Sequence, residues 1–177
     1  MSYFEAFPTI SYDADGSKNY KTIRDILTRV KVKNTLKGKH TVFERYDIRD
    51  GETPEKVAND KYGNPELHWV VLYFNDIVDP FYEWPLSLRD FDKFVTAKYT
   101  DPNATHHYEI AQSSGNTLVT IKVESTVAGS TAVTNYDYEA SLQDKKKQIK
   151  LLKPGFVGQV ISEFNAELGN VRNSSSP

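Results

Sequence analysis

The chain has 177 residues and no cysteine. Disulfides, thiolate metal sites and thiol nucleophiles are therefore excluded. Long apolar runs are also missing, and nothing approaches the roughly 20 apolar residues that a membrane-spanning helix needs. Neither sign of charge dominates: 22 Lys and Arg stand against 24 Asp and Glu, a formal net charge of −2. With a pI near 6.1, there is no electrostatic reason to expect nucleic-acid binding. The N-terminal Met-Ser-Tyr-Phe-Glu-Ala-Phe-Pro lacks the basic region and apolar run of a signal peptide, so a soluble protein made in a cytoplasm is expected. The chain has no Gly-x-Ser-x-Gly, no phosphate-cradling glycine loop and no paired-glycine dinucleotide motif. What it has is aromatics. The apolar fraction is only 38%, yet there are 11 tyrosines and 9 phenylalanines. Such side chains bring large contact areas, which suits a protein that buries surface against partners.

The most informative stretch runs from Tyr46 to Trp84. Asp50-Gly51 is a turn dipeptide. Thr53 is placed to cap a helix whose first position is Pro54, where a missing N–H is harmless. Gly63 suits the left-handed position that ends that helix, and Asn64-Pro65 repeats the cap-plus-proline start. The second helix, Pro65 to about Phe74, is apolar almost all round, with Leu67, Trp69, Val70, Val71, Leu72, Tyr73 and Phe74. A helix without a polar face must be covered on both sides, which predicts a docking module. Proline flanks Phe81-Tyr82-Glu83-Trp84 on both sides, which predicts an extended, irregular segment.

Smaller pieces surround this centre. Phe7 to Tyr12 reads as a strand, with a turn over Asp13 to Asn19. Ile23, Ile26, Leu27 and Val30 have helical spacing, predicting a helix from about Thr22 to Lys31. Thr41 to Ile48 reads as the strand entering the module. Ser87 with Asp90 caps a helix to about Lys98, with Leu88, Phe91, Phe94 and Val95 expected inward. From His106 the period becomes two. Tyr108 and Ile110, then Val119, Ile121 and Val123, predict a hairpin across Ser113 to Asn116. Glu124 to Asn135 reads as a loop. Tyr136, Tyr138, Ala140 and Leu142 read as a further strand, turning at Asp144-Lys145 into Gln148 to Leu152. Pro154 opens a last helix with Val157, Val160, Ile161, Phe164 and Leu168 on one face and Gly169 as its stop, followed by a frayed tail.

Several features imitate chemistry. Asp13, Asp15, Gly16, Ser17 and Asn19 offer oxygens like a calcium loop, but Gly16 comes two positions early and Arg24 stands where a bidentate glutamate is needed. Ordinary turn chemistry accounts for them. His106 and His107 are adjacent, and neighbours on a strand face opposite ways, so they are not expected to share a metal. Glu52 with Glu55, or Asp76 with Asp79, resemble acid–base pairs for sugar hydrolysis. The glutamates, however, fit a helix first turn and the aspartates fit turns. Lys145-Lys146-Lys147 reads as a solvated tip. No catalytic residue, metal or cofactor is expected. The partner-interface candidates are Trp69, Tyr73, Phe81, Tyr82 and Trp84, with Trp69 and Phe74 also suited to the module's own core.

These residues carry a resemblance. Tyr46 to about Asp76, with its Asp-Gly-Glu-Thr turn, resembles a divergent LysM module, a strand–helix–helix–strand unit. Tyr-Gly-Asn-Pro-Glu-Leu-His-Trp-Val, followed by Asn-Asp and Asp-Pro-Phe-Tyr-Glu-Trp, resembles the baseplate wedge protein 53 family of contractile-tailed, T-even type bacteriophages. The likeness takes in Phe-Pro-Thr-Ile-Ser-Tyr-Asp near the start and Asp-Lys-Lys-Lys-Gln-Ile-Lys-Leu-Leu-Lys-Pro near the end; residues 99–135 match nothing in it. The resemblance implies a structural virion protein of the tail baseplate, assembled in the host cytoplasm. It would be present in several copies per symmetric baseplate and would contact other wedge and hub proteins, with neither nucleic acid nor membrane as partner. The LysM-like part alone implies another role, binding peptidoglycan or another N-acetylglucosamine polymer. The expected fold is α+β. A central LysM-like module with its aromatic segment (41–85) would follow an N-terminal strand and helix (1–40) and precede a region of helix, β-hairpins and terminal helix (86–177).

Overall fold

A computed structural model describes residues 3–26, 38–113 and 119–174. The fold is α+β, with helices beside three small sheets among the described residues. The chain forms two compact units. The first takes Met1–Tyr46, Thr53–Pro80 and Ile149–Pro177; the second takes Asp47–Glu52 and Phe81–Gln148. The first thus draws on all three segments expected from the sequence.

In the first unit, helix α1 (Pro54–Tyr62) begins and ends as its residues dictate. The Thr53 hydroxyl accepts the Lys56 N–H at 3.3 Å, and Gly63 stops the helix at φ 70° with its N–H on the Asn59 carbonyl. Asn64 then accepts the Glu66 N–H at 2.9 Å, and a 3-10 turn, Pro65–Leu67, leads into α2 (His68–Phe74). Leu67, Val70, Val71 and Phe74 are buried. The chain itself supplies their cover. Helix α1 packs along α2, Phe43 meets Phe74 with ring centres 5.2 Å apart, and Phe164 lies 4.9 Å from Trp69. Phe164 belongs to α6 (Pro154–Ser174), whose Val157, Val160 and Leu168 are also buried. Each such side chain contributes about 1.5–3 kcal/mol through removal from water.

No strand follows α2 within residues 75–85. The partner of β3 (Phe43–Asp47) is β7 (Gln148–Leu152), about a hundred residues on. The Lys153 N–H donates to the Val42 carbonyl at 2.9 Å and the Ile48 N–H to the Lys147 carbonyl at 3.0 Å, an antiparallel register. The Asn75 side chain fixes β7 behind α2. Its amide donates to the carbonyls of Lys150 and Val71, both at 2.8 Å, and its oxygen accepts the Lys150 N–H at 2.8 Å.

In the second unit, β4 (Thr105–Ala111) lies between β5 (Thr120–Val123) and β6 (Thr131–Thr134), antiparallel to both. Helices α3 (Pro80–Glu83, whose first residue belongs to the first unit), α4 (Leu88–Lys98) and α5 (Asn135–Lys147) accompany this sheet. Ser87 caps α4 by accepting the Asp90 N–H.

Five expectations are corrected here. Lys21–Arg24 is strand β2, paired with β1 (Thr9–Tyr12), rather than the start of a helix. The Asp13 carboxylate accepts the N–H groups of Gly16 (3.0 Å) and Lys18 (2.8 Å), with positive φ at both residues, and this folds the chain straight back. The remainder of that expected helix, 27–31, lies outside the described residues. Residues 136–142 are helix, not strand. Thr134 accepts the Asp137 N–H at 3.1 Å and three lysines occupy the last turn of α5, a cap and a dipole match that outweigh the alternating apolar pattern. The expected loop before it contains β6. On α4 only Phe91 and Val95 are buried, while Leu88 and Phe94 are exposed. Finally, α6 passes through Gly169 to Ser174, because one glycine weakens a helix without stopping it.

Candidate interaction surface and polar cluster

The five interface candidates separate. Trp69 and Tyr73 stand on α2 in the first unit, both half-buried, with Trp69 against Phe164. Phe81, Tyr82 and Trp84 belong to the second unit and face different ways. Pro80 starts a single helical turn, so this segment is helical where an extended, irregular segment was expected. Proline is tolerated in a first helical turn, and the same residue that forbids helix before it permits helix after it. On that turn Phe81 is 89% exposed and Tyr82 78%. Trp84 is only 7% exposed, and its indole N–H donates to the Glu52 carbonyl at 2.7 Å. It belongs to the interior, against the expectation of a surface anchor. The Tyr82 backbone is fixed as well, its carbonyl accepting from Lys146 Nζ at 2.6 Å. Two large aromatic side chains therefore project from a turn that is tied down beneath them.

The residues that imitated chemistry do structural work. Glu52 is buried, and its carboxylate accepts the Arg49 N–H at 2.9 Å across the Asp50–Gly51 turn. Asp50 Oδ1 accepts the Leu88 N–H at 2.7 Å. Asp76 is a turn residue at φ 56°. Asp15 Oδ1 accepts the hydroxyl and the N–H of Ser17. Among the described residues no group of three or more His, Asp or Glu is arranged to hold a metal.

Sequence reasoning missed a polar cluster at the sheet of the second unit. Glu139 of α5 is buried and accepts from Lys98 Nζ and from the Tyr99 hydroxyl, both at 2.7 Å. Burial pushes its carboxyl up, but the two hydrogen bonds overcome this and leave it below the ordinary value of 4.5. Close by, the register between β4 and β6 slips by one residue between Thr105 and His107. Such a bulge gives two consecutive side chains the same side. The rings of His106 and His107 meet, Nδ1 to Nδ1, at 2.7 Å, although strand alternation alone would separate them. His107 Nε2 lies 2.7 Å from the Glu109 carboxylate, which also accepts the Thr120 hydroxyl at 2.6 Å. His106 stacks on Tyr138 of α5, with ring centres 4.0 Å apart and planes 13° apart.

Comparison with known proteins locates the chain. The family model for base plate wedge protein 53 matches residues 2–108, which include α1, α2 and the aromatic turn. The baseplate wedge protein gp53 of Enterobacteria phage T4 is 40% identical over 89 residues, 48% of this chain and 44% of that protein. The match includes residues 99–108, where the sequence had offered no likeness, and it stops short of β7 and α6. The chain belongs to the base plate wedge protein 53 family.

Proposed function

We propose that this protein is a structural subunit of a phage tail baseplate wedge, joining wedge subunits around the tail hub through protein–protein contacts. The observation that carries this is family membership over residues 2–108, together with an aromatic turn inside that stretch whose Phe81 and Tyr82 are exposed. Aromatic anchors on a fixed backbone lose little conformational freedom on binding, which favours them at the energetic centre of interfaces. The partners are other wedge and hub proteins of the baseplate. Trp84 supports the turn from within the fold and is not an anchor.

The test mixes the purified chain with candidate wedge proteins and compares it with Phe81→Ala and Tyr82→Ala. An anchor of this kind is worth about 2 kcal/mol or more, roughly a 30-fold loss of affinity, with folding unchanged. Both variants assembling like the parent chain would remove the turn from the interface. Micromolar binding of N-acetylglucosamine oligomers, with no affinity for any wedge protein, would favour the sugar-binding reading instead.

A further inference from the structure

We infer that His106 and His107 form an acid-opened latch between the three-stranded sheet and α5. The Nδ1–Nδ1 contact of 2.7 Å is a hydrogen bond only if one nitrogen carries the proton and the other offers a lone pair. His107 Nε2, 2.7 Å from the Glu109 carboxylate, is a donor and already holds a proton. The pair therefore keeps its contact in two states. Both rings can be neutral, with the shared proton on His106. Alternatively one ring is cationic, with that proton on either nitrogen. When both rings are cationic, each Nδ1 carries a proton pointing at the other. No arrangement then preserves the bond, and two like charges sit in contact. Protonating the second ring and parting the two rings are the same event.

The packed elements bear on this coupling unequally: Lys122 and Lys98 oppose a cation on His106, whereas the Glu139 carboxylate favours one. On β4, the Glu109 carboxylate lies against His107 Nε2; it is held below its ordinary value, first by the Thr120 hydroxyl and then by His107. On β5, Lys122 lies over the Tyr138 ring at 5.5 Å and opposes a second cation. On β6, Val133 and Thr131 stand opposite His107 and Glu109 and carry no charge. Helix α5 presents Tyr138 and the Glu139 carboxylate, and the latter is already engaged by Lys98 at the end of α4 and by Tyr99. Partial burial, then His107 and Lys122, hold His106 below its ordinary value of 6.5. A base depressed in the folded state lends its full stability above about pH 6.5 and loses it as pH falls. Because His106 stacks on Tyr138, what loosens is the seating of α5 on β4.

The test follows the imidazole resonances of the full-length protein by NMR from pH 8 to pH 4.5. One ring of the pair should take up its proton at a distinctly higher pH than the other. The second step should coincide with loss of the Tyr138 ring-current shift at His106. His106→Phe keeps an aromatic ring on Tyr138 but takes no proton, so its unfolding midpoint should fall less than the parent's between pH 7 and pH 5. Two rings titrating together near pH 6.5, with the ring-current shift intact, would overturn the latch without any variant. So would a His106→Phe protein that folds and keeps the parent's full pH dependence.

Discussion

Trp84 and Tyr82 stand two residues apart and have opposite fates, since the helical turn aims one indole into the second unit and one phenol into water. Replacing Trp84 by alanine empties a buried site and leaves the Glu52 carbonyl without its donor. The expected loss is about 3–5 kcal/mol of folding stability. Tyr82→Ala removes an exposed ring and should stay within about 0.5 kcal/mol of the parent. Denaturant unfolding of the two variants side by side measures the contrast, and equal destabilisation would place Tyr82 in the core. Glu139 supplies a second residue-level expectation. Its carboxyl is lowered in the folded state, so its stabilisation is complete above about pH 4.5 and disappears as pH falls through its folded value. Glu139→Gln should therefore flatten the acid limb of stability below pH 4.5, a window separate from that of the histidines. Unfolding curves at pH 6 and pH 3.5 on both proteins provide the comparison.

Among the elements, α5 is the instructive one. Its buried positions are Glu139 and Gln143, four apart on one helical face, and both are polar. Gln143 Oε1 accepts the Leu86 N–H at 3.0 Å, so the helix docks through hydrogen bonds. Hydrophobic periodicity had nothing to detect on such a face, and the chance alternation of Tyr136, Tyr138, Ala140 and Leu142 suggested a strand. The signal that was present was the Thr134-x-x-Asp137 cap, in which the Thr134 hydroxyl also donates to Asp137 Oδ2 at 2.7 Å. Thr134→Ala should cost about 1 kcal/mol. Circular dichroism with thermal melting reads the loss, and an unchanged melt would mean that packing alone holds the helix. The ribbon of β1 and β2 differs again, because every residue in it is exposed. Arg24 ties it down by donating to the carbonyls of Glu5 (2.7 Å) and Phe7 (2.9 Å).

For the molecule as a whole, the apolar helix 65–74 no longer demands an external cover, since α1, Phe43 and Phe164 provide one. A partner is expected to stabilise the protein through mass action instead. A wedge subunit at a hundred times its Kd should add about 2.7 kcal/mol. Differential scanning of the chain with and without each candidate subunit detects this as a rise in Tm, and no rise with any subunit would count against the proposed assembly role.

Where an element depended on neighbours in sequence, the residues alone determined it. Thr53, Pro54 and Gly63 bound α1, Asn64-Pro65 starts the next helical stretch, Ser87 starts α4, and Asp13 makes the turn. In each case a side chain or a φ angle acts on backbone within a few residues. Family kinship was legible for the same reason, being carried by an ordered run of such local features. Only the tertiary structure decided which distant pieces meet. The strand beside β3 comes from 148–152, and Asn75 finds its three partners on Val71 and Lys150. A bulge of one residue turns two adjacent histidines toward each other, and Trp84 turns inward to a carbonyl 32 residues away in sequence. Short-range sterics and capping write themselves into the order of residues. Pairing across a hundred residues is selected by what remains to be buried and hydrogen-bonded once the chain has collapsed, and no local pattern encodes that choice.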